Sequence, residues 1–123
     1  MGDVGELCVG VGAGSRVGAA DIVAAVLEVC GDEPVRVLAT LDRKTVLAPF
    51  VDAAEVLGAA LVGYAAEELA AVPVPNPAET VDGAVGTPSV AEAAAILAAN
   101  GGPLTVTKHV TNGVTLAVAR SVS

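Results

Sequence analysis

The sequence predicts an α/β layered fold, with a mixed, mostly parallel sheet between helices and a C-terminal antiparallel hairpin. Short apolar runs that end in turn residues alternate with amphipathic helical patterns from residue 7 to about residue 100. After them, Thr111-Asn112-Gly113 between two alternating segments is a strong hairpin signal. The composition agrees: 25 alanines and 23 valines against one Phe, one Tyr and no Trp build a core from small side chains, which lets helices approach a sheet closely. At 123 residues the chain is expected to be one domain spanning 1–123, with a core light enough for homo-oligomerisation to help it.

Leu7 to Gly12 reads as a buried first strand ending in a glycine turn. From Ala19 to Cys30, Ile22, Val23, Val26, Leu27 and Cys30 form the apolar stripe of a helix, with Asp21 and Glu28 opposite and Gly31 as its stop. Val35 to Leu41 is a second strand, followed by the charged turn Asp42-Arg43-Lys44. Pro49, Phe50, Ala54 and Leu57 mark a helix that Gly58 ends. Ala60 to Gly63 extends as a third strand, and Ala65 to Ala71 reads as a short helix.

Three prolines within Val72 to Pro77 forbid a helix and favour an extended path. Gly86-Thr87-Pro88-Ser89-Val90-Ala91-Glu92 then opens a helix, capped by Thr87 with Pro88 at its first position or by a Ser89 and Glu92 capping box. Its expected buried stripe is Val90, Ala93, Ala94 and Leu97, and Asn100-Gly101-Gly102 ends it. In the hairpin, strict alternation over Leu104 to His109 puts Lys108 on the face of Leu104 and Val106, and His109 on the face of Thr105 and Thr107.

Several function classes fall away. A net charge of −8 argues against a nucleic-acid partner, since such affinity rests on cations neutralising phosphates. No apolar run reaches the roughly 18 to 20 residues of a bilayer span, and the start Met-Gly-Asp-Val-Gly-Glu lacks the basic region of a secretory signal, so a cytoplasmic location is expected. Cys8 and Cys30 read as reduced, buried thiols, and one histidine with no Cys-x-x-Cys leaves no zinc pattern, so no metal is expected. In Gly10-Val11-Gly12-Ala13-Gly14-Ser15-Arg16-Val17-Gly18, the dinucleotide register G-x-G-x-x-G puts Ser15 or Val17 where the third glycine belongs. Gly-Lys-Ser/Thr is absent as well, so no cofactor is expected and a flavodoxin-like nucleotide-binding domain is a remote alternative.

Ligands of open α/β sheets bind outside the carboxyl ends of the parallel strands. The loops expected there are Gly12 to Gly18, Thr40 to Thr45 and Gly86 to Ser89, and three of the six basic residues, Arg16, Arg43 and Lys44, fall in them. That distribution describes a positive mouth for an anionic ligand on an otherwise acidic chain. The candidate binding residues are Gly12, Gly14, Ser15, Arg16, Gly18, Asp42, Lys44, Gly86, Thr87, Ser89 and Lys108. Weak acid or base candidates are Asp42, Glu67 and Glu92, whereas Glu67 and Glu68 diverge on their helix and form no carboxylate pair.

Four segments, in order, carry a family resemblance: Gly12-Ala-Gly-Ser-Arg16-Val-Gly18, Leu38-Ala-Thr-Leu-Asp42-Arg-Lys44, Glu67-Glu-Leu-Ala-Ala-Val-Pro-Val-Pro75 and Gly86-Thr-Pro-Ser-Val-Ala-Glu92-Ala-Ala-Ala. Over Leu7 to Ala119 the chain resembles the CobE family, equivalent to the C-terminal domain of CbiG, the cobalt-precorrin-5A hydrolase. The resemblance implies a cytoplasmic role in corrin-ring construction, binding a precorrin-type tetrapyrrole through its peripheral carboxylates. It implies lactone opening only together with the other CbiG domains or a partner enzyme of the pathway, and a non-catalytic carrier as the alternative. In two places the chain departs from the family pattern: Val17 follows Arg16 where a second cation is common, and Thr45-Val46-Leu47 follows the lysine where acidic residues are common.

Overall fold

A computed structural model describes residues 6–13, 17–31, 33–72, 90–102, 104–111 and 113–121. The elements are β1 (Leu7–Ala13), α1 (Ala19–Cys30), β2 (Val35–Leu41), a 3-10 turn (Asp42–Lys44), α2 (Ala48–Leu57), β3 (Ala60–Tyr64), α3 (Ala66–Ala70), α4 (Val90–Ala98), β4 (Leu104–Thr111) and β5 (Val114–Arg120). They form one five-stranded sheet in the order β3-β2-β1-β5-β4. β1 pairs parallel with β2 and β2 with β3, whereas β5 runs antiparallel to both β1 and β4. Only β5 is reversed, so four strands share one direction, as the mixed, mostly parallel sheet requires. Among the described residues, no helix is long and apolar enough to cross a membrane.

Helices cover both faces, with different chemistry. On one face Ile22 and Val26 of α1 and Phe50 of α2 pack on Val9, Val11, Leu38, Leu116 and Val118. On the other, α4 meets the sheet through Ala91, Ala95 and Ala99 against Cys8, Ala117 and Ala119. Here Gly10 is required by close approach: a Cβ at this position would lie 1.9 Å from the Ala91 carbonyl oxygen and 2.7 Å from the Ala95 nitrogen. The abundance of alanine and glycine is thereby explained, because α4 rests almost directly on the β1 backbone. Dispersion contacts at such short separation replace the area that larger side chains would bury.

Three sequence expectations are corrected. Leu27 is 51% exposed, because it lies about 140° around the helix from Ile22, and the buried positions of α1 are Ile22, Ala25 and Val26. In α4 burial runs through Ala91, Glu92, Ala93, Ala94 and Ala95 rather than along one stripe. The cause is further neighbours: Ala93 and Ala94 pack with Ala39 of β2 and Leu69 of α3, and Glu92 meets the Lys108 amide of β4.

β4 departs most. Its register against β5 shifts between Leu104 and Val106 and again between Val106 and His109. Each bulge inserts a residue and inverts the alternation. Leu104 therefore packs on the α4 side, Val106 joins the α1 side, and Lys108 shares no continuous face with both. His109 turns toward α1, where its Nε2 lies 3.3 Å from Glu28 Oε2, and the Thr111 hydroxyl donates to Glu28 Oε1 at 3.0 Å. The two cysteines are free thiols, Cys8 buried and Cys30 half-buried.

Candidate functional site

The carboxyl ends of β1, β2 and β3 lie side by side, and the described loop residues that follow them are Val17 and Gly18, the Asp42–Lys44 turn and Ala65. α4 lies antiparallel to β1, since Cys8 Sγ contacts the Ala98 carbonyl at 3.6 Å while Gly10 meets Ala91 and Ala95. The start of α4 therefore points toward the same end of the sheet. Beyond it, Gly12 has no described atom within 4 Å of where a Cβ would stand.

The Asp42–Lys44 turn is fixed from below. A Cβ at Gly63 of β3 would lie 2.7 Å from Asp42 Cα and 2.8 Å from Thr45 Cγ2, so the turn can seat on β3 only over a glycine. Thr45 closes the turn by donating its amide at 3.1 Å and its hydroxyl at 2.8 Å to the Asp42 carbonyl. Underneath, the buried Thr40 hydroxyl donates to the Val11 carbonyl at 2.7 Å and ties the ends of β1 and β2 together. Lys44 Nζ stands 6.0 Å from the centroid of the Phe50 ring, a cation held over an aromatic face. Arg43 and Asp42 are exposed beside it.

At α1 the Gly18 amide donates to Asp21 Oδ2 at 3.0 Å, so a carboxylate of the chain already engages the amide that precedes the helix. Similarly, the Ala65 amide donates to Glu68 Oε1 at 2.9 Å, while Glu67 stays exposed and makes no pair with it. Tyr64, the last residue of β3, was not singled out by sequence reasoning. Burial pushes its phenol up from the ordinary value, with Cys8 and Glu68 adding to the shift, so it is a neutral hydroxyl at the edge of the site.

Glu92 and Lys108 belong to a different part of the sheet. Glu92 is fully buried, and its Oε2 accepts the Lys108 backbone amide at 2.9 Å, bridging α4 to the bulged strand. β4 stands three strand positions from β2, roughly 14 Å, so Lys108 is not brought next to Asp42 and Lys44. Gly14, Ser15, Arg16, Gly86, Thr87 and Ser89 lie outside the described residues, as does most of the proline segment. Among the described residues, no three His, Cys, Asp or Glu side chains converge as a metal site.

The opposite end of the sheet carries a cleft of about 540 Å³ lined by Glu6, Glu33, Val35, Arg36, Ala60 and Arg120 among others. Its cations are engaged by carboxylates: Arg36 Nε lies 3.1 Å from Glu6 and Arg120 lies 2.8 Å from Glu33. The two ends thus gather different residues, one Arg43 and Lys44 of the turn after β2, the other Arg36 with Glu6 and Arg120 with Glu33.

No curated protein matches the chain significantly. Among solved structures it is similar to CobE, described as a protein from the cobalamin (vitamin B12) biosynthetic pathway, at 25% identity over 94% of this chain and 90% of that one, with a TM-score of 0.76. It is also similar to the cobalamin biosynthesis protein ChiG from Agrobacterium tumefaciens, at 33% identity over 94% of this chain and 98% of that one, with a TM-score of 0.70. Residues 7–119, from the first residue of β1 to the penultimate residue of β5, match the family model described as cobalamin synthesis G C-terminus. With the family model spanning residues 7–119 and both solved structures covered to 90% or more, this chain belongs to the cobalamin synthesis G C-terminus family and is a protein of the cobalamin biosynthesis pathway.

Proposed function

We propose that this domain binds a precorrin-type tetrapyrrole at the carboxyl end of its parallel strands, gripping the carboxylates at the macrocycle's rim. The observation that carries this reading is the Asp42–Lys44 turn: on a chain of net charge −8 it presents Arg43 and Lys44 together, on a base held rigid by Gly63 and Thr45. A preorganised cationic turn loses little entropy when it engages an anion. Gly12, which has no described atom within 4 Å of where a Cβ would stand, lies at the same end of the sheet. Arg16 of the first loop and the Gly86 to Ser89 segment are further contacts by sequence motif.

The reading is one of binding, with the chain holding or presenting an intermediate to an enzyme of the pathway. Lactone opening would need an acid or base, and of the carboxylates considered, Glu92 is buried against the Lys108 amide while Asp42 alone stands in the cationic turn. The test is an absorbance titration of a carboxylated corrin, cobyrinic acid, into the purified chain, whose lack of Trp leaves the visible and near-ultraviolet background low. Saturable binding weakened about 10-fold by Arg16→Ala or by Lys44→Ala, the ~1.4 kcal/mol of one charge-assisted contact, supports the reading. Absence of saturable binding overturns it. Release of acetaldehyde from a lactone-bearing precursor by the chain alone would replace the carrier role with a hydrolase role.

A further inference from the structure

Two dipeptides of the chain place a glycine after an asparagine, Asn100-Gly101 and Asn112-Gly113. The backbone nitrogen of the following residue can attack an asparagine side chain, and glycine, having no Cβ to block the approach, makes that attack easiest. A bond forms between that nitrogen and Cγ, the Cγ–Nδ2 bond breaks, and the amide proton leaves with the side-chain nitrogen as ammonia. Water then opens the succinimide ring at either carbonyl, leaving aspartate or isoaspartate. The attacking nitrogen must give up its proton, so an N–H already held by an acceptor resists the reaction.

The fold treats the two glycine amides differently. At the end of α4 the exposed Asn100 takes a left-handed φ of 58°, its own amide donates to the Leu97 carbonyl at 3.0 Å, and the Gly101 amide donates to the Ile96 carbonyl at 2.9 Å. These are the two bonds that close a helix C-terminus. At the hairpin tip Thr111 pairs with Val114, so the loop between them has two residues, and Gly113 is exposed with a φ of 76°. Among the described residues no acceptor takes the Gly113 amide. The remaining asparagine, Asn76, precedes Pro77, whose nitrogen has no proton to lose.

We infer that Asn112 is a site of spontaneous covalent modification, converting to aspartate or isoaspartate by attack of the free Gly113 amide, while the same dipeptide at Asn100 is protected by its helix cap. The change adds a carboxylate at the carboxyl end of β1. Val114 pairs there with Ala13, and a Cβ at Gly113 would lie 3.5 Å from Val17 Cγ2, so the tip rests against the residue that leads into α1. One negative charge thus enters beside the first loop, whatever the domain binds.

The experiment ages the intact chain at mildly alkaline pH and physiological temperature, once folded and once in urea strong enough to unfold it. Samples are digested at intervals, and peptide mass spectrometry follows the one-dalton gain at each asparagine, with Asn100 as the internal reference for Asn112. In the folded chain the gain at Asn112 should outpace that at Asn100 by about 10-fold or more, since two capping hydrogen bonds must open before the Gly101 amide can react. In urea the caps are gone and the two rates should converge. Equal rates in the folded chain, or no gain at Asn112 there, overturns the inference. A difference of the same size in urea also overturns it, because local sequence rather than the fold would then set the rates.

Discussion

Gly63→Ala probes the link between fold and site at a single atom. The added Cβ would stand 2.7 Å from Asp42 Cα, 2.8 Å from Thr45 Cγ2 and 3.0 Å from Asp42 Oδ1. Ordinary contact needs about 3.5 to 4 Å, so the turn must lift by close to 1 Å, and its nearest atom is backbone that cannot rotate away. Overpacking of this kind costs about 1–3 kcal/mol. For a domain of this length, each kcal/mol lowers Tm by roughly 4 °C, giving an expected loss of about 4–12 °C. Thermal unfolding followed by far-ultraviolet circular dichroism measures it. The double variant with Thr45→Ser removes the Cγ2 but keeps the hydroxyl that donates to the Asp42 carbonyl at 2.8 Å. Because the Asp42 backbone contact persists, recovery should be partial, with a coupling of about 0.5–1 kcal/mol. A Gly63→Ala Tm within about 1 °C of wild type, or no coupling to position 45, would refute the claim that the turn is seated on Gly63.

Other expectations follow from buried polar groups. Glu92→Ala should destabilise by about 3 kcal/mol, since it opens a cavity at a fully buried side chain and strips the part-buried Lys108 amide of its acceptor; hydrogen exchange at the Lys108 amide should accelerate with it, and unchanged exchange would contradict the bridge. Thr40→Val keeps the shape but removes the 2.7 Å bond to the Val11 carbonyl, an expected loss of about 1–2 kcal/mol in urea denaturation with an unchanged m-value. Burial above all pushes the Cys8 thiol up from 9.0, assisted by Glu6 and opposed by Arg36. A thiol whose folded pKa is raised contributes stability present below the unfolded value and lost as pH rises through the folded one. Stability should therefore decline above about pH 9, and Cys8→Ala should flatten that decline; an equally steep fall in the variant would count against Cys8.

What local pattern encodes was legible in the sequence. The bounds of α1 and β2, the turn at Asp42 and the hairpin follow from apolar spacing and turn residues, which depend on neighbours along the chain. The misread features depend on neighbours in space. Two bulges in β4 invert the faces of Leu104, Val106 and His109, and no residue in Thr105-Val106-Thr107-Lys108 announces them; the Glu92 carboxylate that meets the Lys108 amide comes from another element. Glu92 itself looks like a wet capping residue until α4 is seen enclosed between β1 and α3. At the site, Asp42 and Lys44 were readable as a charged turn. Gly63 was not readable as its seat, because that contact joins residues 21 positions apart across a parallel pair. Val46 and Leu47 pass for core residues in a hydrophobic count, and only their exposure shows them to be surface.

The proposed site takes a carboxylated tetrapyrrole at the carboxyl end of the parallel strands. The most direct test is the amide chemical-shift map of the isotopically labelled chain titrated with cobyrinic acid. Binding there predicts saturable perturbations at Gly12, Val17 and Gly18 and from Asp42 to Leu47, with Glu6, Glu33, Arg36 and Arg120 at the far end unmoved. Perturbations confined to the cleft formed by those four residues would contradict it.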